Sequence, residues 1–141
     1  MSPIHDFPVR VYYEDTDAGG VVYHANYLKF CERARSEYLR ALGFENSGIR
    51  AESSALIVVK KIEADYVAPA RLDDLLRVRT HLLELKNTSF FMRQIVVKDD
   101  NVVFEMKILL VFVSDGGKPV KIPLAIREIF DNEIKSHKDF M

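Results

Sequence analysis

The sequence has little of what marks a secreted or membrane protein. It holds a single cysteine, Cys31, among its 141 residues, so the chain forms no internal disulfide, and we expect a reducing, cytoplasmic location. The first six residues lack the basic segment and apolar stretch of a secretory signal. The longest apolar run, residues 108–113, is far shorter than the roughly 20 residues that cross a bilayer. The sequence therefore predicts a protein without a membrane span.

The sequence also lacks an excess of charge of either sign. Twenty Lys and Arg residues face 21 Asp and Glu residues, which gives a formal net charge of -1. Nucleic-acid-binding proteins usually carry a basic excess or stripe, so this balance argues against such a partner. The hydrophobic share of 48% is too high for an intrinsically disordered chain. We expect one globular domain over residues 1–141, since this length is typical of a single domain.

One long amphipathic helix is predicted over residues 26–42. Its apolar residues are spaced by three and four, which is the period of a helix that buries one face. Gly43 follows where the glycine that ends a helix is expected. The members of the apolar face are Tyr27, Phe30, Cys31, Ala34, Tyr38, Ala41 and Leu42.

A period of two indicates strands elsewhere. A short strand is predicted at residues 9–13, and four more follow at residues 56–68, 76–82, 90–97 and 102–112. In the first of these four, Leu56, Val58, Ile62 and Tyr66 are predicted to share one apolar face. Short connections imply antiparallel pairing. Residues 43–54 are predicted to be a loop, and Pro123 opens a short final helix. A sheet with one long helix on its apolar face is α+β.

The turn between the first strand and the helix carries the candidate chemistry. Asp15 and Asp17 precede the pair Gly19-Gly20, and His24 lies just before the helix. In one interpretation Asp17 satisfies main-chain N–H groups of a glycine-rich turn. In the other, Asp17 is a catalytic carboxylate facing the helix start, where unpaired N–H groups polarise a carbonyl oxygen. Residue spacing permits both interpretations.

Other constellations are less specific. Asp15 and Asp17 form an Asp-x-Asp pair that suits a divalent cation, but no third candidate ligand has the spacing of a known cation site. The four histidines are scattered, which disfavours a zinc site. Cys31 occupies a core-like position, where a buried cysteine is inert packing. Lys86, Lys118 and Lys121 lie in predicted loops. Their side chains are either solvated charges or groups that bind phosphates of a ligand.

Three segments of the sequence resemble one family. Residues 12–28 read YYEDTDAGGVVYHANYL, residues 32–37 read ERARSE, and residues 62–70 read IEADYVAPA. Together they are similar to the hotdog-fold acyl-CoA thioesterases. The resemblance is strongest to the bacterial YbgC branch, which is associated with the Tol–Pal system and related to the 4-hydroxybenzoyl-CoA thioesterases.

The resemblance implies a hotdog fold, in which an antiparallel sheet wraps around the long helix. It also implies dimers with a continuous sheet, paired into tetramers, with active sites between subunits and no metal or redox cofactor. Asp17 matches the catalytic carboxylate, and His24 the position whose main-chain N–H polarises the thioester carbonyl, with its imidazole as a second candidate group. The implied substrate-binding residues are Tyr23, Lys86 and Lys118, the lysines receiving the phosphates of acyl-CoA.

The expected reaction is hydrolysis of the acyl-CoA thioester, with Asp17 as nucleophile or as general base. The departing thiolate has a pKa near that of cysteine, about 8.5, so strong acid assistance is unnecessary. Two alternatives stay open. One is a hotdog-fold hydratase or dehydratase, which the Asp17 segment disfavours. The other is a non-catalytic protein that binds acyl carrier protein or another partner in envelope biogenesis.

Overall fold

A five-stranded antiparallel sheet and three helices make up the fold. The structure is a computed structural model that describes residues 5–140, with side chains to residue 136. The strands run in the order β1-β3-β4-β5-β2 across the sheet. This confirms the predicted α+β class. The elements are β1 (His5–Arg10), α1 (Asn26–Ala41), α2 (Asn46–Ser53), β2 (Ala55–Tyr66), β3 (Leu75–Leu85), β4 (Ser89–Lys98), β5 (Asn101–Ser114) and α3 (Leu124–Phe140).

The core lies between α1 and one face of the sheet. The predicted apolar face of α1 is buried from Tyr27 to Tyr38, together with Leu39. Ala41, predicted as part of that face, is exposed, and Leu42 is half-buried. Gly43 follows with a positive φ of 98°, as a helix-ending glycine requires.

Gln94, on β4, is fully buried beneath α1. Its amide donates to the Cys31 carbonyl at 2.8 Å and to Thr80 Oγ1 at 3.1 Å. These bonds fix the helix against the sheet.

Strand β2 differs from the prediction. It lies at an edge of the sheet, and a bulge between Val59 and Lys61 shifts its register against β5. Such a bulge reverses which side chains face the core. Val59 and Ile62 therefore share a face with the core residues of β5, whereas Val58 points to the other side. The predicted single face from Leu56 to Tyr66 is wrong, because the extra residue, Lys60, changes the alternation.

The prediction of a loop over residues 43–54 is also wrong. Asn46–Ser53 forms helix α2, which packs against β2. Asn46, Ser47 and Gly48 suggested a turn, but Asn and Ser are also favoured where helices begin. Ile49 is 5% exposed, so tertiary packing of one apolar residue stabilises a helix that local composition does not favour.

The two ends of the chain differ from the prediction by a few residues. Strand β1 ends at Arg10, and Tyr13–Asp15 form a turn of 3₁₀ helix instead of continuing the strand. Helix α3 has 17 residues, longer than the short helix predicted after Pro123.

No helix in the described part of the chain is long and apolar enough to cross a membrane. The prediction about a secretory signal concerns residues that lie in part outside the described ones.

We expect Cys31 to resist alkylation in the folded protein. Its side chain is fully buried, and burial raises the pKa of its thiol to about 12, so the reactive thiolate is absent at neutral pH. Labelling with iodoacetamide, followed by mass spectrometry, should show no adduct at pH 7 and one adduct per chain in denaturant. Labelling of the folded protein at the rate of a free thiol would contradict this packing.

Candidate active site

A small hairpin joins β1 to α1 and carries Asp17. The main-chain N–H of Asp17 donates to the Val21 carbonyl at 2.9 Å, and Thr16 pairs with Val22 in an isolated antiparallel bridge. Gly20, at the tip, has a φ of 80°, which a residue with a side chain rarely adopts. This geometry explains why a glycine closes the turn. The hairpin leads directly into the start of α1.

Asp15 anchors this hairpin and is not part of an open site. Its carboxylate accepts hydrogen bonds from the Tyr12 main-chain N–H at 2.8 Å and from the Asn26 side-chain amide at 3.0 Å. Its carbonyl accepts from the Tyr23 N–H at 2.9 Å. The side chain is 6% exposed. Within the described residues, no group of three His, Cys, Asp or Glu side chains is placed to hold a metal ion.

Asp17 has a different environment from Asp15. Its side chain is exposed, and Oδ1 accepts a hydrogen bond from the Gly19 N–H at 2.8 Å. Asp17 lies in a surface concavity of about 420 Å³ that Tyr13 and Leu72 also line. The structural interpretation of Asp17 is therefore correct in part, since the carboxylate does satisfy a main-chain N–H. That bond fixes the carboxylate while leaving it accessible to a ligand.

The start of α1 presents main-chain N–H groups beside aromatic rings. Asn26 N–H donates to the Tyr23 carbonyl, while the main-chain N–H of His24 has no acceptor within the described residues. The Tyr66 hydroxyl donates to the His24 carbonyl at 2.9 Å. The ring centroids of Tyr23 and His24 lie 4.5 Å apart, and both side chains are exposed. Tyr66 thus fixes the turn at His24 from the end of β2.

Lys86 and Lys118 lie far from Asp17 in the same chain. Lys86 is in the connection between β3 and β4, and Lys118 follows the end of β5. These connections adjoin one another, because the Ile122 N–H donates to the Asn87 carbonyl. Tyr66, whose hydroxyl contacts the His24 turn, pairs with Phe104 at the other end of β5. Phe112, whose N–H donates to the Thr88 carbonyl beside Lys86, lies eight positions along β5 from Phe104, a length of about 27 Å.

Three supporting residues were not identified as such from the sequence. The sequence indicates Asp15 only as half of a cation site, although its position three residues after Tyr12 suits a side chain that caps a turn. Tyr66 lies in a segment quoted for the family resemblance, but its partner, the His24 carbonyl, is 42 positions away. Tyr27 accepts a hydrogen bond from the Ala70 N–H at 3.2 Å. Burial raises the pKa of this Tyr27 hydroxyl.

Comparison with known proteins agrees with this fold. The family model of the thioesterase-like superfamily matches residues 11–130. The acyl-CoA thioesterase YbgC of Haemophilus influenzae is 45% identical over 88% of this chain and 92% of its own length. A probable thioesterase from Bartonella henselae has a TM-score of 0.82 at 38% identity, over 85% of this chain and 99% of that one. A Thermus thermophilus thioesterase, complexed with coenzyme A and Zn, has a TM-score of 0.79 at 27% identity, over 94% and 95%.

The fold and these similarities define a hotdog-fold thioesterase of the thioesterase-like superfamily. Within that superfamily, the chain belongs to the YbgC-type acyl-CoA thioesterases. The sequence-based expectation of an acyl-CoA thioesterase is thereby confirmed.

We expect Asp15 to matter for stability and Asp17 to matter little for it. Asp15→Ala leaves the partly buried Tyr12 N–H and the Asn26 amide without their acceptor, which should lower the free energy of unfolding by about 1–3 kcal/mol. Asp17→Asn is the matched control, because asparagine keeps the acceptor for the Gly19 N–H. Urea unfolding followed by circular dichroism measures both variants. Equal stability of Asp15→Ala and wild type would contradict the anchoring role.

Proposed function

We propose that Asp17 is the catalytic carboxylate with which this thioesterase hydrolyses acyl-CoA. The observation that carries the proposal is the contrast between the two acidic residues of the hairpin. The Asp15 carboxylate is buried and accepts a hydrogen bond at each oxygen, whereas that of Asp17 is exposed and has one main-chain donor. A nucleophile or general base needs an accessible lone pair at a fixed position, and Asp17 offers one.

Two routes of hydrolysis fit this carboxylate. As a nucleophile, Asp17 attacks the thioester carbon, the C–S bond breaks, the CoA thiolate leaves, and water then hydrolyses the mixed anhydride to free acid and Asp17. As a general base, Asp17 takes a proton from a water molecule that attacks the same carbon, and CoA leaves as the thiolate. Both routes pass through a tetrahedral oxyanion, and both yield free acid and CoA.

The start of α1 supplies the oxyanion donor in this proposal. The main-chain N–H of His24 is without an acceptor in the described part of the protein, and the positive end of the helix dipole adds to its effect on a developing negative charge. The Tyr66 hydroxyl fixes the same peptide turn through the His24 carbonyl. The exposed His24 imidazole and Tyr23 ring then lie where they contact the substrate near the thioester.

A second subunit completes the site in our proposal. Both strands at the sheet edges have main-chain groups free to pair, but β1 is short and contains Pro8, which blunts an edge. Strand β2 has 12 residues and no proline. Its Val59, Ile62 and Tyr66 are 46%, 37% and 51% exposed, although Tyr27 of α1 contacts the Tyr66 ring. We infer that β2 pairs with the β2 of a second copy.

Antiparallel pairing of two β2 strands also accounts for the positions of the lysines. It sets the Ala55 end of one β2 beside the Tyr66 end of the other. Ala55 pairs with Ser114, four residues before Lys118, and Tyr66 contacts the His24 turn. Lys86 and Lys118 of one subunit would then serve the Asp17 of its partner. This arrangement allows lysines that are remote within one chain to bind CoA phosphates.

The alternation of β4 and β5 in the sequence predicts a second apolar face on the outer side of the sheet, but that face exposes little apolar area. Val97, Val103, Val111 and Val113 are already buried within one chain, while Phe91, Ile95 and Leu109 are half-buried. We retain a dimer of dimers as part of the proposal, with these half-buried residues in the second contact. The reducing, cytoplasmic location and a contact with acyl carrier protein also stay predictions.

Asp17→Asn should reduce kcat by at least about 10²-fold, since removal of an acid–base group costs about 10²–10⁴-fold. Thiol release from a panel of acyl-CoAs measures the effect. His24→Ala is the comparison, and it should cost less, because the substitution keeps the main-chain N–H. Turnover by folded Asp17→Asn within a few-fold of wild type would overturn the proposed mechanism. A larger loss in His24→Ala would assign the chemical role to the imidazole.

The protein should be an oligomer in solution. Light scattering coupled to gel filtration should give a mass well above the 16.2 kDa of one chain. Val59→Asp places a charge on the exposed face of β2 and should lower the mass. Leu124→Asp is the matched control, since Leu124 is 71% exposed on α3 and lies outside the proposed interface. A monomeric wild type at micromolar concentration, or equal masses for all three proteins, would contradict β2 pairing.

A further inference from the structure

The turn that joins β3 to β4, residues 86–88, lies at the surface and yet is held by a side chain distant in the sequence. Lys86 and Asn87 are exposed, so water is available to their carbonyls. The Arg127 guanidinium nevertheless donates to the Lys86 carbonyl and, at 3.4 Å, to the Asn87 carbonyl. Both bonds come from one nitrogen, Nη2, and they join α3 to the turn.

Main-chain groups hold the rest of this turn. The Ile122 N–H, in the connection between β5 and α3, donates to the Asn87 carbonyl at 3.1 Å. The Phe112 N–H, on β5, donates to the Thr88 carbonyl at 2.9 Å. Every main-chain carbonyl of residues 86–88 therefore accepts a hydrogen bond from a part of the chain that is distant in sequence. Such a turn has a fixed main chain, whereas exposed loops are usually mobile.

Arg127 is the contact of this group that a substitution can remove, because the other donors are main-chain N–H groups. It lies in the first turn of α3. Ile126 and Phe130 are 4% and 0% exposed and anchor that helix in the core. Arg127 therefore reaches the turn from a rigid element, which is the arrangement that positions a neighbouring group accurately.

The Lys86 ammonium has a weakly bound partner in the free protein. It lies 3.7 Å from a carboxylate oxygen of Glu84, and both side chains are more than half exposed. An exposed ion pair of this kind contributes little, so a phosphate group competes well for the ammonium. The main cost of that contact is the ordering of a long lysine side chain. A turn whose main chain is already fixed lowers this cost.

We propose that Arg127 is a positioning residue for acyl-CoA, and that it holds the turn at residues 86–88 where the Lys86 ammonium meets a phosphate of the bound substrate. The inference rests on the proposed function, which assigns Lys86 to these phosphates. Arg127 acts through the main chain of the turn, since its guanidinium is engaged with the two carbonyls. It contributes to binding only while the Lys86 side chain is present, and it takes no part in the chemical step at Asp17.

The test is a double-mutant cycle on the KM for an acyl-CoA that the wild type hydrolyses. Arg127→Ala and Lys86→Ala should each raise KM about three- to fivefold, the effect of one exposed ion pair, and leave kcat within about twofold of wild type. The double variant should have the KM of Lys86→Ala, because the turn then has no ammonium to position. Additive effects of the two substitutions, or a wild-type KM in Arg127→Ala, would overturn the inference.

The same acyl group attached to pantetheine forms the second arm of the test. Acyl-pantetheine keeps the thioester and lacks the phosphates, so both single variants should hydrolyse it with the kcat/KM of wild type. An equal loss with both thioesters would assign Arg127 a general structural role and would overturn its role toward the phosphates. Arg127→Met, which keeps the apolar stem of the side chain, replaces Arg127→Ala if the alanine variant does not fold.

Lys135→Ala is the matched control. Lys135 is exposed on the same helix, eight positions beyond Arg127, so its substitution removes the same charge from α3, and the KM for acyl-CoA should stay that of wild type. A KM in Lys135→Ala raised as far as in Arg127→Ala would overturn the inference, because loss of charge alone would then suffice. Absence of turnover of both thioesters by the wild type would instead overturn the proposed function, and this inference with it.

Discussion

The Asp15 carboxylate is the contact on which the geometry of the site depends. It accepts one hydrogen bond from the turn that ends β1 and another from Asn26, the first residue of α1. A buried carboxylate is stable only when its oxygens are hydrogen-bonded, so the turn and the helix start must keep their relative positions. The hairpin between these two anchors then has a fixed shape. Asp17 is exposed on that hairpin, and the start of α1 follows it.

The exposed face of strand β2 is the second constraint. Helix α1 packs on β1 and β3 and accepts a hydrogen bond from Gln94 of β4, and it meets β2 at the Tyr66 end of that strand. The apolar residues Val59 and Ile62 of β2 stay partly exposed in one chain. This exposed face accounts for the proposed subunit contact.

The sequence predicts the elements whose patterns are local. Helix α1 follows from apolar residues at a spacing of three and four, and the β4–β5 turn from Asp99 and Asp100, which take the positive φ angles that a tight hairpin requires. Helix α2 could not be predicted, because its stability depends on Ile49 packing against residues distant in the chain. The bulge at Lys60 could not be predicted either, because the extra residue is recognised only from the pairing of β2 with β5.

The candidate site likewise contains residues that the sequence identifies and residues whose roles depend on tertiary contacts. Asp17 and His24 belong to a continuous segment, so a resemblance to known thioesterases identifies them from the sequence alone. The different roles of Asp15 and Asp17 could not be separated there, because both are acidic residues of one turn. Burial and hydrogen-bond partners separate them in the structure. Tyr66 is part of the site only because the end of β2 lies over the start of α1.

The central claim is that Asp17 performs chemistry and is not needed to hold the hairpin or the substrate. Calorimetric titration of Asp17→Asn with an acyl-CoA that the wild type hydrolyses tests this most directly. Asparagine keeps the size of the side chain and its acceptor for the Gly19 N–H. The account predicts that Asp17→Asn binds this acyl-CoA with an affinity within a few-fold of that of wild type for a non-hydrolysable thioether analogue. During the titration the variant should release no free acid from the acyl-CoA. Loss of binding together with turnover would contradict it, because Asp17 would then be a binding residue.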